Sequence, residues 1–269
     1  MAYSPQISYH DAAIHALLTA RTQRRAVWSD SHMASAHVAN EVSPTWGASG
    51  TARSPEWSSG LYAERMTTTY PAGTVQFTRM ADGTRDEYQY LHGLEREYIA
   101  ELPGRLVSAL RLLDSGLGGY KISRYQHSLQ TATRAMRDGA DTEMVVAALV
   151  HDIGDDLSPE NHSQVAAAII RPYVRAEVTW VVNMHGIFQM KYYGHHIDLD
   201  PDLREAYRGH RWFDSCENFC ANWDQESFDP DYPTEPIETF QPMLQEIFTR
   251  KPFDPEIIGE SDIPQSARM

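Results

Sequence analysis

Lysine and cysteine are nearly absent from this chain of 269 residues, and no long apolar run interrupts it. Two cysteines, Cys216 and Cys220, leave no material for a disulfide framework. No stretch approaches the roughly 18 apolar residues of a membrane span. The opening MAYSPQISYHDAAIHALL lacks a basic region followed by an apolar run, so it does not read as a secretory signal. Positive charge is scarce: 23 basic residues face 37 acidic ones, a net of −14. Such a chain repels phosphate backbones and anionic lipid, which speaks against nucleic-acid and membrane-surface partners. The expectation is a cytoplasmic protein with a small-molecule substrate. Histidine, by contrast, is plentiful at 12 residues.

Charge and composition divide the chain. Residues 1–70 hold five acids and five arginines, so the whole net charge lies in 71–269. A helix over 11–25 is expected from Ala13, Ile14, Leu17 and Leu18. In 29–60, 20 of 32 residues are Ser, Thr, Gly, Ala or Pro, which reads as an irregular arm anchored by Trp46, Trp57 and Tyr62. A homodimer is one arrangement in which such an arm could pack. From residue 86 onward apolar residues recur at helical spacing. Helices are expected over 86–102 and 104–114, divided at Pro103. Ser123 and Gln126 form a capping-box pattern for a helix to about Asp138, and Asp141 can cap the next, whose 144–150 run is apolar all round. Gly154 is a plausible stop, and Ser158-Pro159 starts another helix. Further helices are expected at 174–190, 200–208, 211–223 and 236–249. The reading is an all-α domain over 86–269, its helices running to about 252, behind a partly irregular N-terminal extension over 1–85.

Polar side chains stand where apolar ones belong. His151-Asp152 ends the buried helix, and a charged Asp there is costly unless paired or metal-bound. His127 lies one turn into the helix opened by Ser123. His162 shares a stripe with Val165, Ala166, Ile169 and Ile170, and His185 one with Val178, Val181 and Val182. A lone histidine on an apolar face is more often a satisfied core residue than a ligand. Three from three helices, beside an inward His-Asp pair, are hard to satisfy separately, and bundle interiors are where facing helices build metal sites. Asp224 and Asp214 compete as a final acid. Cys216 and Cys220 precede Asp224 by two turns and one, as thiolate ligands or, more commonly, buried spectators.

The order H…HD…H…H…D resembles the HD-domain superfamily, so the fold expected is an HD-type helical bundle. Its oxygenase branch, which includes myo-inositol oxygenase and enzymes that cleave organophosphonates, is the nearest likeness. RYQHSLQTATRA with AALVHDIGDDLSPENH, MHGIFQMKYYGHH, and NWDQESFDPDYPTEPIETFQPMLQEI carry it. The last stretch aligns Asp224, not Asp214, with the final ligand. The resemblance implies a mixed-valent Fe(II)/Fe(III) pair with O₂ as co-substrate. One iron would sit on His127, His151 and Asp224, the other on His162 and His185, with Asp152 bridging.

Departures bear on the substrate. A lysine that binds inositol directly after HD-x-G is here Asp155, followed by Asp156, and a second, four residues past the last ligand, is Phe228. Of the Tyr and Glu that precede the first histidine in the phosphonate-cleaving enzymes, only Tyr120 lies near. Asp155 and Asp156 could attract a cationic group or simply solvate a loop. Lys191, Tyr192, Tyr193, His195 and His196 could line the pocket or decorate a helix end, and Arg124 and Arg134 could meet an anion. Two activities follow. One is an O₂-dependent di-iron oxygenase oxidising a C–H bond beside a hydroxyl or amino group, with C–C or C–P cleavage open. The other is a metal-dependent phosphohydrolase of a nucleotide or similar ester. Only Lys121, Lys191 and Lys251 are available as lysines for phosphate charge, which favours the oxygenase.

Overall fold

A computed structural model describes residues 73–259. The expected helix over 11–25, the arm over 29–60 and most of the 1–85 extension lie outside them. The described residues are helical, with no strand among them.

Helices α1 (Arg85–Ala100) and α2 (Leu102–Leu112) are divided one residue before Leu102, and Pro103 sits in the first turn of α2, where its missing N–H costs nothing. Helix α3 (Arg124–Arg137) starts at the expected capping box: Ser123 Oγ accepts from the Gln126 N–H, and Gln126 Oε1 from the Ser123 N–H, both at 3.2 Å. Ser123 Oγ also donates to Asp114 at 2.7 Å, tying the start of α3 to the loop after α2. Asp141 caps α4 (Thr142–Val150) by accepting from the Met144 N–H. Every residue of α4 from Met144 to Val150 is buried, as a helix apolar all round must be. It packs against α3, α6 (Ala176–Tyr193) and α8 (Ile237–Phe248). Leu110, Leu149, Phe188, Phe219, Phe240 and Leu244 fill the core around it.

Helix α5 (His162–Ile170) follows a short 3-10 turn at Pro159–Asn161 and packs on α6. Two glycines let these segments approach. A Cβ at Gly154 would stand 2.8 Å from both the His162 carbonyl and Val165 Cβ. One at Gly186 would stand 2.9 Å from Ser163 Oγ. Helix α4 ends at Val150, short of the expected stop at Gly154, and Gly154 instead seats the loop after the His-Asp pair on α5.

Two further segments differ from expectation. Residues 200–208 form a 3-10 stretch, Leu203–Tyr207, in place of a full helix. The segment expected as one helix over 211–223 is α7 (Phe213–Asn218) followed by a π-helical turn, Phe219–Asp224. Residue periodicity does not announce that widening, because the segment is too short for the shift caused by one inserted residue to stand out.

Candidate metal centre

Four histidines and two aspartates converge from separate elements. His127 comes from α3, His151 and Asp152 from the end of α4, His162 from the start of α5, His185 from α6 and Asp224 from the π-turn. All are buried except His162, whose side chain is 21% exposed.

Each imidazole has its Nδ1 at a backbone carbonyl: Ser227 for His127 at 2.8 Å, Ala148 for His151 at 2.8 Å, Pro159 for His162 at 3.0 Å and Val182 for His185 at 2.6 Å. A carbonyl only accepts, so each Nδ1 carries the proton and each neutral ring turns an Nε2 lone pair inward. Those lone pairs face one another in two couples, His127 with His151 at 3.2 Å and His162 with His185 at 3.3 Å. Two acceptors at that distance repel unless a cation, a proton or a metal ion, joins them. Holding Nδ1 on a carbonyl is also how proteins fix histidine ligands for a metal.

Asp152 stands between the couples. Its Oδ2 is 3.5 Å from the Nε2 atoms of His127 and His151, and its Oδ1 is 3.4 Å from those of His162 and His185. Asp224 adds Oδ1 to the first couple alone, 3.2 Å from His127 and 3.5 Å from His151, while its buried Oδ2 has no hydrogen-bond partner. A buried carboxylate oxygen left bare is costly, and a cation beside it removes the cost. His127, His151 and Asp224 offer donor atoms within 4.8 Å of one another, and so do His151, Asp152 and His185. These residues could hold metal ions, and imidazole with carboxylate suits iron, manganese or zinc.

Electrostatics agree with a cation-seeking cluster. Burial would lower the His127 and His151 pKa values, but the Asp224 and Asp152 carboxylates outweigh it and raise both. Burial would raise Asp224, yet His151 and His127 hold it far below the usual carboxylate range. Asp152 is held low likewise, with His151, His185, Arg124 and His127 outweighing its burial.

One segment organises the first couple. Asp224 lies beside it, Ser227 accepts from His127 Nδ1, and the Phe228 ring stacks on His127 with centroids 4.4 Å apart. Tyr120 in turn stacks on Phe228 at 5.0 Å. Helix α3 clamps this segment further along. Gln130 exchanges two hydrogen bonds with the Asp229 backbone, and Arg134 donates to the Glu226 carbonyl while covering the Tyr232 ring. Arg134, a candidate for anion binding by sequence, is engaged in that clamp. Ser227 escaped the sequence reading, because it contributes a backbone carbonyl that no side-chain pattern announces.

Other candidates sit as follows. Asp214 is exposed in the first turn of α7, apart from the histidines that Asp224 meets. Asp155 pairs with Arg124 at 2.9 Å, and Asp156 is exposed. Lys191 is exposed and pairs with Asp202, Tyr192 packs against the core, and the exposed rings of His195 and His196 lie against each other at 3.9 Å. Tyr193 is exposed at the end of α6, and partial burial of its phenol pushes its pKa up. The Cys216 and Cys220 thiols donate to the Val181 and His185 carbonyls at 3.6 Å, and burial pushes the Cys220 thiol up. They behave as neutral packing groups between α7, the π-turn and α6.

No curated protein matches the chain significantly. The family model of the HD domain matches residues 124–218, a span that opens at Arg124 and includes five of the six clustered residues, Asp224 lying beyond it. The stretch from Arg124 to Asn218 is thus similar to the HD domain, and its buried histidines and aspartate belong to groups that could hold a metal ion.

Proposed function

We propose that this protein is a di-iron, O₂-dependent oxygenase of a small polar substrate. It would oxidise a C–H bond next to a hydroxyl or amino group, with C–C or C–P cleavage as the outcome left to the substrate. The observation that carries the reading is the division of Asp152, one carboxylate oxygen toward each histidine couple. That geometry suits two ions sharing a ligand, one held by His127, His151 and Asp224 and the other by His162 and His185.

Two iron ions there would supply redox chemistry toward O₂ and a Lewis-acid surface for a chelating substrate. The chain's own part is orientation. Backbone carbonyls fix the four imidazoles, so their Nε2 donors stay aimed at the positions the metals would take. Six donor residues on two ions leave coordination positions open, and the partly exposed His162 places the accessible side at the second position. Among the described residues, several basic groups that could meet a phosphate are already engaged. The Arg124 guanidinium already faces Asp152 and Asp155, while Lys191 and Lys251 pair with Asp202 and Asp254. This supports the oxygenase over the phosphohydrolase.

Iron-loaded protein, partly reduced, should give the low-temperature paramagnetic resonance signal of a spin-coupled Fe(II)/Fe(III) pair. It should consume O₂ with one member of a panel of vicinal diols, amino alcohols and hydroxyphosphonates. Hydrolysis of a phosphate ester at full rate without O₂, with Mn(II) as the metal, would overturn the reading.

A further inference from the structure

Arg124 opens α3 one turn before His127, and its side chain is only 15% exposed. Its Nε donates to Asp155 Oδ2 at 2.9 Å, and its Nη1 lies 3.5 Å from Asp152 Oδ2. That Asp152 oxygen is the one turned toward His127 and His151. The other Asp155 oxygen lies 3.8 Å from Nδ1 of His162, across on the second couple. Arg124 and Asp155 therefore form a strap from the shared carboxylate to a histidine of the opposite half. Burial disfavours the guanidinium charge, but Asp152 and Asp155 outweigh it and keep it protonated.

A carboxylate bridging two ions has to hold one rotation, because turning it about its Cβ–Cγ bond takes each oxygen off its own couple. His127, His151, His162 and His185 all meet Asp152 through their Nε2 atoms. Arg124 is the charged side chain that grips it from α3, and its planar fork reaches two carboxylates at once, which an ammonium cannot copy. We propose that Arg124, with Asp155 as its counter-ion, is a positioning residue that fixes the rotation of Asp152 and so couples the two metal positions. This rests on the two-metal reading. The first position has donors of its own in His127, His151 and Asp224, so it depends little on the strap. The second has His162 and His185 alone besides Asp152, so its occupancy depends on the carboxylate being held.

Titration of the metal-free protein with Mn(II), read by paramagnetic resonance, tests this without any substrate. Wild type should bind two ions that are magnetically coupled through the shared carboxylate. Arg124→Gln should bind the first ion as wild type does, lose about 10- to 100-fold in affinity for the second, and show weakened coupling. Arg124→Lys, which keeps the charge but not the fork, should fall between them, and an unchanged melting temperature of the metal-free variants would exclude misfolding. Wild-type affinity and coupling in both variants would overturn the role of Arg124 while leaving the two-metal reading intact. A wild type that binds one ion, or two uncoupled ions, would overturn the shared-carboxylate reading and this role with it.

Discussion

At the scale of single residues, the centre is defined by proton placement as much as by distance. Four Nδ1–carbonyl contacts commit four rings to one tautomer, and the bare Asp224 Oδ2 asks for a cation. A histidine whose folded pKa is raised lends stability that is fully present below its unfolded value near 6.5 and is lost as pH rises through the raised value. Metal binding needs the same imidazoles neutral, so it strengthens as pH rises. Between about pH 6 and 9 the melting temperature of metal-free protein should therefore fall relative to the metal-loaded form. A gap that narrows with rising pH would contradict the assignment of His127 and His151. Asp224→Ala should lose the ion at the first position, while Asp214→Ala, an exposed change, should keep it and stay within about 0.5 kcal/mol of wild-type stability. Metal analysis beside denaturant unfolding reads both. His151, Asp152, His162 and His185 stood out in the sequence as polar residues on an apolar stripe or beside one, His127 as a further helical histidine, and Asp224 only through the resemblance that set it above Asp214. Ser227 and the pairing of Arg124 with Asp155 were not legible, since a backbone acceptor and a fold-made ion pair leave no periodic trace.

At the scale of elements, α3 and the segment after the π-turn act as one unit. His127 faces Asp224, Ser227 and Phe228, while Gln130 and Arg134 hold the following backbone. Gln130→Ala should leave the helices intact yet weaken the first metal position, because two hydrogen bonds to Asp229 disappear one residue past Phe228. Unchanged first-site affinity would show that the clamp is only structural. Gly154→Ala should cost about 1–3 kcal/mol, since the new methyl meets a backbone carbonyl and Val165 and neither is the free end of a flexible chain. Helix starts were readable where a side chain caps them, at Ser123 and Asp141. The π-turn was not readable; that Asp224, not Asp214, joins the histidines was implied by the resemblance alone.

At the scale of the whole molecule, no helix among the described residues is long and apolar enough to cross a membrane. The acidic surplus sits in the same part of the chain as the cluster, which suits a site that draws in cations. Apolar periodicity and capping patterns announced an all-α domain, and the described residues are helical; what they could not announce is how six side chains from distant positions face each other. That juxtaposition is the centre of the proposal, and metal analysis tests it most directly. Purified wild type, reconstituted with iron and freed of excess, should carry two ions per chain. Asp152→Ala should carry at most one, because the second position then keeps only His162 and His185, and His162→Ala should keep the ion at the first position. Wild-type metal content in both variants would contradict a centre built on Asp152.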